Sequence, residues 1–442
     1  MDKIKRRFIS VLTIAGACFI IAVALYACKK TADSPVEETG KIYIHPSGVN
    51  ILTLKGSYFE MGKQYGTLMK DDLHKWAKYY DSTWKSDNPH VYNFITKLVF
   101  EQGNKLFLSP KIKDFLEGEV AASGLSKSDV YLLDMCLSFD YMFSSKIPLK
   151  SRAGCTFVGA YGAATEGHTI VGRNLDLQRP LAVRDYNCVI TIMHPTNGDH
   201  SVATFGFVGF PQGYALLNLD NMVFTEYNTG NSADSWTDPL LESKTMMDLA
   251  FDAITDKTNT DAPTTAEYLK NKPLLSPTFF GVADQNGVWV VQRPISAPGI
   301  ITTNSLGNGI NGVTNVFLDS LINGVKLTIY NSDSSANGFI NKKDTPGRGM
   351  VRWVHIVNYF STHPGPVDIN SIKTIVSTNI ADGGAFITGY EIEGTNSYCQ
   401  QDATFGSVVV DLSDLTNLWW LRYDYATKNK KWDNINLTQY LN

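Results

Sequence analysis

Between residues 56 and 150 apolar side chains recur at three- and four-residue spacing, the period of an amphipathic helix. The runs "EMGKQYGTLMKDDLHKWAKYYDSTW", "YNFITKLVFEQGNKLFL" and "SPKIKDFLEGEVAASGL" carry it, with Pro or Gly breaks between them. "SKSDVYLLDMCLSFDYMF" opens on a serine suited to an N-cap before another amphipathic run. After residue 154 the period shortens. "CTFVGAYG", "HTIVGRNL", "CVITIMHP", "SVATFGFVGF", "MVFTEYN", "FFGVADQNGVWVVQRP", "FGSVVVDLSD" and "NLWWLRYDYA" are short β-rich runs punctuated by Gly, Pro, Asn and Asp. Asn286-Gly287 supplies the turn residues of a tight hairpin within "DQNGVWVV". Helical spacing returns around 240–257, 263–271 and 348–360. Strands in antiparallel pairs, with helices grouped between them, predict a layered α+β architecture rather than a parallel Rossmann sheet. The change of texture sets a boundary near 150–155.

The first thirty residues stand apart from this pattern. A basic "MDKIKRR" precedes "FISVLTIAGACFIIAVALYA", twenty almost wholly apolar residues, and then the polar "CKKTADSPVEETG". A stretch of that length is long enough to cross a bilayer as an uncleaved anchor helix. Leu25-Tyr26-Ala27-Cys28 resembles a bacterial lipobox, in which Cys28 is lipidated and becomes the mature N-terminus. Tyr26 is bulkier than the usual residue there, and Gly16-Ala17-Cys18 is a second candidate. Both readings export the chain and tether it through residues 29–40. The expected localisation is a membrane-anchored bacterial lipoprotein, periplasmic or at the cell surface.

Composition narrows the chemistry only a little. A chain of 442 residues with 43% apolar and 19% charged residues is an ordinary globular one. Its net charge of -4, with no basic run beyond the N-terminus, makes no electrostatic case for nucleic acid. Beyond Cys18 and Cys28 there are Cys136, Cys155, Cys188 and Cys399, too few for a disulfide framework. Apolar neighbours mark Cys136 and Cys188 as core residues. Cys155 differs, because polar groups follow it.

Those groups lie in "RAGCTFVGAYGAATEGHTIVGRNLDL". Cutting the Gly154–Cys155 bond would give Cys155 both a thiol and an α-amine, whose ordinary pKa of roughly 7.7 to 8.0 lets it serve as general base. Gly154, without a Cβ, lets the thiol approach the preceding carbonyl. Strands over 156–161 and 169–175 pair as a hairpin in this reading and return Arg173 and Asp176 to Cys155. A guanidinium there favours thiolate, and a carboxylate holds the new ammonium. The competing reading is a surface turn with an ordinary ion pair. Other chemistries lack their motifs: the eight histidines show no metal spacing, and there is no G-x-S-x-G elbow, P-loop or G-x-G-x-x-G. His168 falls in the hairpin turn, a poor place for a Cys–His dyad.

"GCTFVGAYGAATEGHTIVGRNLDL" resembles the N-terminal-nucleophile (Ntn) linear amide hydrolases. These include choloylglycine hydrolase and penicillin V acylase, the acid ceramidase and N-acylethanolamine acid amidase group, and the acyl-coenzyme A:6-aminopenicillanate acyltransferases. "LKGSYFEMGKQYGTLMKDDL" (54–73) is similar to the Gly-x-x-x-Glu-x-Gly-x-Gln-x-Gly opening of the acyltransferase-like branch. The resemblance covers about 50–425 in scattered blocks. It implies a four-layer αββα sandwich of two antiparallel sheets, preceded by a helical pro-segment. The implied organisation is a lipoprotein signal peptide over 1–28, tether and pro-segment over 29–154, and catalytic domain over 155–442.

Site roles follow from the resemblance position by position. Cys155 matches the nucleophile freed by self-cleavage after Gly154, and Arg173 and Asp176 match the residues that hold thiol and amine. Asn304 in "GIITTNSLG" matches an oxyanion-hole asparagine, and Asn228 in "FTEYNTG" a second, with Asn218 as its alternative. Arg348 in "TPGRGMVRW" matches a later arginine, with Arg352 in competition. "ALLNLDNMV" lacks the glycines of the Gly-Met-Asn-Glu-x-Gly stretch common in the family. The implied activity is hydrolysis of a small N-acyl amide through a thioester, with no cofactor or metal. Transfer of the acyl group to an amine, or ligand binding without catalysis, remain alternatives, and substrate and oligomeric state stay open.

Overall fold

The computed structural model describes residues 40–79, 81, 108–134, 154–178, 188–229, 243–314, 321–322, 325–326, 349–379, 383, 402–424 and 429–441. The apolar run before Cys28, Cys28 itself, Cys136, Cys399, Arg348 and the helical run expected over 92–107 lie outside these residues. No helix among the described residues is long and apolar enough to cross a membrane.

Two sheets dominate. The first has nine strands in the order β1 (Lys41–Ile44), β2 (Asn50–Gly56), β5 (Cys188–Pro195), β6 (Val202–Phe207), β7 (Ala215–Asn218), β8 (Phe224–Thr229), β9 (Thr278–Asp284), β10 (Gly287–Arg293), β11 (Ile300–Thr302). The second has six, in the order β12 (Ile310–Val313), β3 (Gly154–Tyr161), β4 (Thr169–Gln178), β13 (Asp402–Asp411), β14 (Leu418–Asp424), β15 (Asn429–Ile435). Their inner faces meet through Phe157 and Phe224, ring centroids 6.3 Å apart, and through Phe205 and Trp420 at 6.2 Å. Helices α4 (Met246–Thr255) and α5 (Ala262–Asn271) cover the outer face of the nine-stranded sheet. Helices α6 (Gly349–Thr362) and α7 (Ile369–Ser377) cover that of the six-stranded one. The layers therefore run helix, sheet, sheet, helix, as the αββα expectation has it.

Two details depart from that expectation. The segment ahead of Cys155 is not all helix, because it opens with β1 and β2. "KIYI" and "NILTL" are β-branched, apolar runs on either side of a turn, which suits paired strands better than a helix. Nor is the larger sheet wholly antiparallel: β2 runs parallel to β5, with Asn50 opposite Val189 and Gly56 opposite Pro195. In the hairpin after β9 the loop is Gln285-Asn286, since Gly287 already pairs with Asp284. The Asp284 carboxylate fixes that register by accepting from the Asn286 N–H at 2.7 Å.

The motif over 56–66 is explained by local geometry. Gly56 leaves β2 at φ +135, where a Cβ would meet the Glu60 carboxyl at 2.7 Å. Helix α1 (Tyr58–Leu68) then starts with a capping box: the Glu60 carboxylate accepts from Ser57 N at 2.7 Å, and Ser57 Oγ accepts from Glu60 N at 3.2 Å. Gln64 folds back to pair with both Lys55 backbone groups, at 3.0 and 2.8 Å. Gly62 and Gly66 face α3 (Pro110–Ser123), whose own Gly118 faces α1. The two backbones nearly touch.

That crossing tolerates no side chain. A Cβ on Gly62 would stand 1.9 Å from the Phe115 carbonyl oxygen, and one on Gly118 would stand 2.0 Å from that of Phe59. Gly62→Ala and Gly118→Ala should each lower stability by about 1–3 kcal/mol or more, the cost of overpacking. Gly365→Ala, at an exposed position with nothing within 4 Å, should be neutral. Thermal unfolding of the three variants checks this.

Candidate active site

Strands β3 and β4 pair so that Gly154 stands opposite Asp176, Cys155 opposite Leu175 and Phe157 opposite Arg173. Successive side chains on a strand point to opposite faces. Cys155, Phe157 and Leu175 accordingly enter the core between the sheets, while Val158, Ala160 and Ile170 enter the core under α6 and α7. The hairpin expected from the sequence forms. It brings Arg173 and Asp176 to Cys155, one on each face of the sheet.

On the inner face, Arg173 Nη2 donates to Cys155 Sγ at 3.3 Å and to the Tyr227 carbonyl at 2.9 Å. Its Nε lies 3.3 Å from Glu226 Oε2, and its guanidinium sits 4.9 Å from the ring centroid of Tyr214. Arg173, Glu226 and Tyr214 are fully buried, and Cys155 is 1% exposed. Glu226 and Asn228 share a face of β8, two residues apart. With its amide nitrogen turned toward them, Asn228 donates to Glu226 Oε2 at 2.9 Å and to the Tyr227 carbonyl at 3.1 Å. Asn228 thus belongs to the group around Arg173. Asn218, its alternative, closes the turn after β7, accepting from the N–H groups of Asp220 and Asn221 at 2.9 and 3.0 Å.

The outer face holds a second cluster. Asp176 accepts from Thr404 Oγ1 at 2.7 Å, and its other oxygen lies 3.2 Å from Arg352 Nη1. The same guanidinium donates to Thr156 Oγ1 at 2.5 Å and to the Cys155 carbonyl. Arg352 is fully buried. Of the two arginines the sequence left open, Arg352 is the one seen at Cys155, and Arg348 lies outside the described residues.

Burial works against a thiolate while Gly154 and Cys155 are joined in one strand. It pushes the Cys155 thiol up, Arg173 opposes that, and the Asp176 and Glu226 carboxyls add to the rise. Arg173 favours the thiolate, as expected from the sequence, but burial outweighs it. Burial also raises Asp176, against the pull of Arg352, the Thr404 hydrogen bond and Arg173. Glu226 is pushed up to about 8 by burial, with Arg173 and the Gly281 N–H opposing.

Two sequence candidates sit elsewhere. Asn304 lies in an exposed turn, where its side-chain oxygen accepts from Gly309 N at 3.1 Å. His168 pairs with Asp411 at 2.9 Å at the far end of the hairpin, about 20 Å from Cys155 at strand spacing. Sequence reasoning missed Glu226 and Thr404. The only sequence signal for Glu226 was its place in a β-run two residues before Asn228, a spacing that puts both on one face. Among the described residues no group of three or more His, Cys, Asp or Glu side chains is placed to hold a metal.

No family model matches this chain, and no curated protein does. Among solved structures it is similar to the N-acylethanolamine-hydrolyzing acid amidase (NAAA) ortholog of Caenorhabditis elegans. The two share 13% identity at a TM-score of 0.39, over 62% of this chain and 96% of that one. Likeness at that level carries no argument about chemistry, which rests on the residues themselves.

Glu226 yields a pH prediction. Its folded pKa is raised, so folding favours the protonated form and stability falls as pH rises from the ordinary carboxyl range through about 8. Glu226→Gln should match the native protein at pH 5 and exceed it at pH 8.5. The gap should grow by up to about 1.4 kcal/mol per pH unit crossed. Unfolding midpoints at the two pH values check the sign.

Proposed function

We propose that this protein is a self-processing cysteine Ntn hydrolase of linear amides, exported and anchored to a membrane through Cys28. The observation that carries the reading is the placement of Cys155. Its buried thiol lies 3.3 Å from Arg173, and the residue before it, Gly154, stands opposite Asp176. An ordinary surface ion pair has neither the burial nor the sulfur.

In the processing step Sγ attacks the Gly154 carbonyl carbon, the peptide C–N bond breaks, and the departing nitrogen takes up the thiol proton. Water then hydrolyses the thioester, leaving the Gly154 carboxylate and a free Cys155 amine. In turnover that amine takes the thiol proton and Sγ attacks the substrate amide carbonyl. The proton passes to the leaving amine, and water releases the acyl group as a carboxylic acid. Arg173 supports the thiolate, and Asp176 stands where the ammonium forms. Arg352, held by Asp176, grips the Cys155 carbonyl and keeps the residue in place while its other bonds change. Asn304, the oxyanion donor expected from the sequence, sits in the exposed turn at the Tyr161 end of the hairpin and takes no part in this step.

Intact mass spectrometry of purified protein beside Cys155→Ala tests the reading. The native chain should appear as two pieces divided at Gly154–Cys155, and the alanine variant as one. A native chain that never divides sinks the mechanism, and division of the alanine variant assigns the cut to an outside protease.

A further inference from the structure

Tyr214 is fully buried, and among the described residues its hydroxyl has no hydrogen-bond partner. A buried tyrosine O–H ordinarily finds a partner, and leaving that hydrogen bond unmade is unfavourable. Phenylalanine would fill the same space without that cost. The ring alone does not account for tyrosine here: its face lies under the Arg173 guanidinium and its flank against Trp420, 6.1 Å between centroids, and both contacts need only a benzene ring.

The position of the hydroxyl is set by a glycine. A Cβ on Gly406 would stand 2.8 Å from the Tyr214 oxygen, so any other residue there would push the phenol away. Gly406 pairs with Leu175, and Leu175 pairs with Cys155. The three form one cross-strand row, about 10 Å from end to end at ordinary strand spacing. Tyr214 oxygen and Cys155 sulfur therefore address the same stretch of the inner face, with Arg173 in contact with both side chains. Burial raises the phenol well above its ordinary pKa, and the Cys155 and Cys188 thiols add to the rise. The Arg173 guanidinium opposes that rise, and as a protonated phenol the hydroxyl offers one hydrogen-bond donor.

We infer that the Tyr214 hydroxyl is a further residue of the Cys155 site, donating a hydrogen bond to the acyl oxygen as Sγ bonds to the acyl carbon. The inference rests on the proposed function. When the thiolate pair forms the S–C bond, the carbonyl π pair moves onto oxygen. A preplaced donor without a competing partner lowers the energy of that oxyanion. The charge returns when the C=O bond re-forms and the leaving group departs. The unmade hydrogen bond of the resting protein is then made in the transition state.

Two reagents separate this role from a structural one. Iodoacetamide alkylates sulfur by displacing iodide and passes through no oxyanion. p-Nitrophenyl butyrate acylates the same sulfur through a tetrahedral oxyanion and expels p-nitrophenolate. On the processed protein, Tyr214→Phe keeps the ring and should leave the alkylation rate of Cys155 within about twofold. The p-nitrophenolate burst should slow by about tenfold or more, in line with loss of an oxyanion donor. The thermal midpoint should hold or rise, since an unpaired hydroxyl is removed. Equal burst rates overturn the inference, as does a parallel fall of both rates, which would place the effect on the thiol through Arg173. Native protein that neither divides at Gly154 nor reacts with either reagent overturns the proposed function and this inference together. Native protein that divides and reacts, with Tyr214→Phe indistinguishable from it, overturns the inference alone.

Discussion

Two guanidinium groups wholly withdrawn from water govern the centre of this fold. A buried charge must be compensated where it lies. Arg173 meets that need on the inner face of the smaller sheet with Glu226, the Tyr227 carbonyl and the face of Tyr214. Arg352 meets it on the outer face with Asp176, Thr156 and the Cys155 carbonyl. Cys155 is thereby gripped twice, by its side chain from one face and by its main chain from the other. The two faces are coupled through a single strand, so the hairpin, the β8 segment and helix α6 must all be seated before the thiol has its surroundings.

What the sequence made legible follows from local period. The hairpin of β3 and β4 could be read because two β-rich runs flank the turn-forming "GAATEGH" and "GRNLD" falls at the returning end, where the register sets Asp176 opposite Gly154. The layered arrangement could be read from clustered strands and helices. The side on which each polar group would fall could not, since it depends on which sheet covers which face. Glu226 sits in a polar-looking "FTEYN", and its partner lies 53 positions earlier in the chain. Arg352 was harder to place than it need have been: it precedes the buried Ile356 by four residues, and so shares the inward stripe of α6. Asn304 shows the converse, a motif match whose side chain also serves a turn rich in glycine.

The glycines of the 56–66 motif have a different lesson. Each position in that pattern answers a backbone demand: a positive φ at Gly56, a cap at Glu60, a helix crossing at Gly62 and Gly66, and a paired main chain at Gln64. None of them approaches the polar clusters around Cys155 through any contact described above. The pattern reports how the first helix is fastened to the sheet and to α3. As a sign of chemistry it is indirect, telling how the first helix is anchored rather than what the polar clusters do.

The parallel pairing of β2 with β5 has a topological consequence. Strand β2 precedes Cys155 in the chain, yet lies between β1 and β5 with Ile51, Leu52 and Leu54 in the core. A break at Gly154 would therefore turn one sheet into a ladder shared by two polypeptides, the shorter one donating strands to the longer. Withdrawal of the donated strands would bare the N–H and C=O groups along β5, an edge that invites pairing with another chain. In such a molecule the first fragment would be joined to the second by strand pairing instead of by a peptide bond.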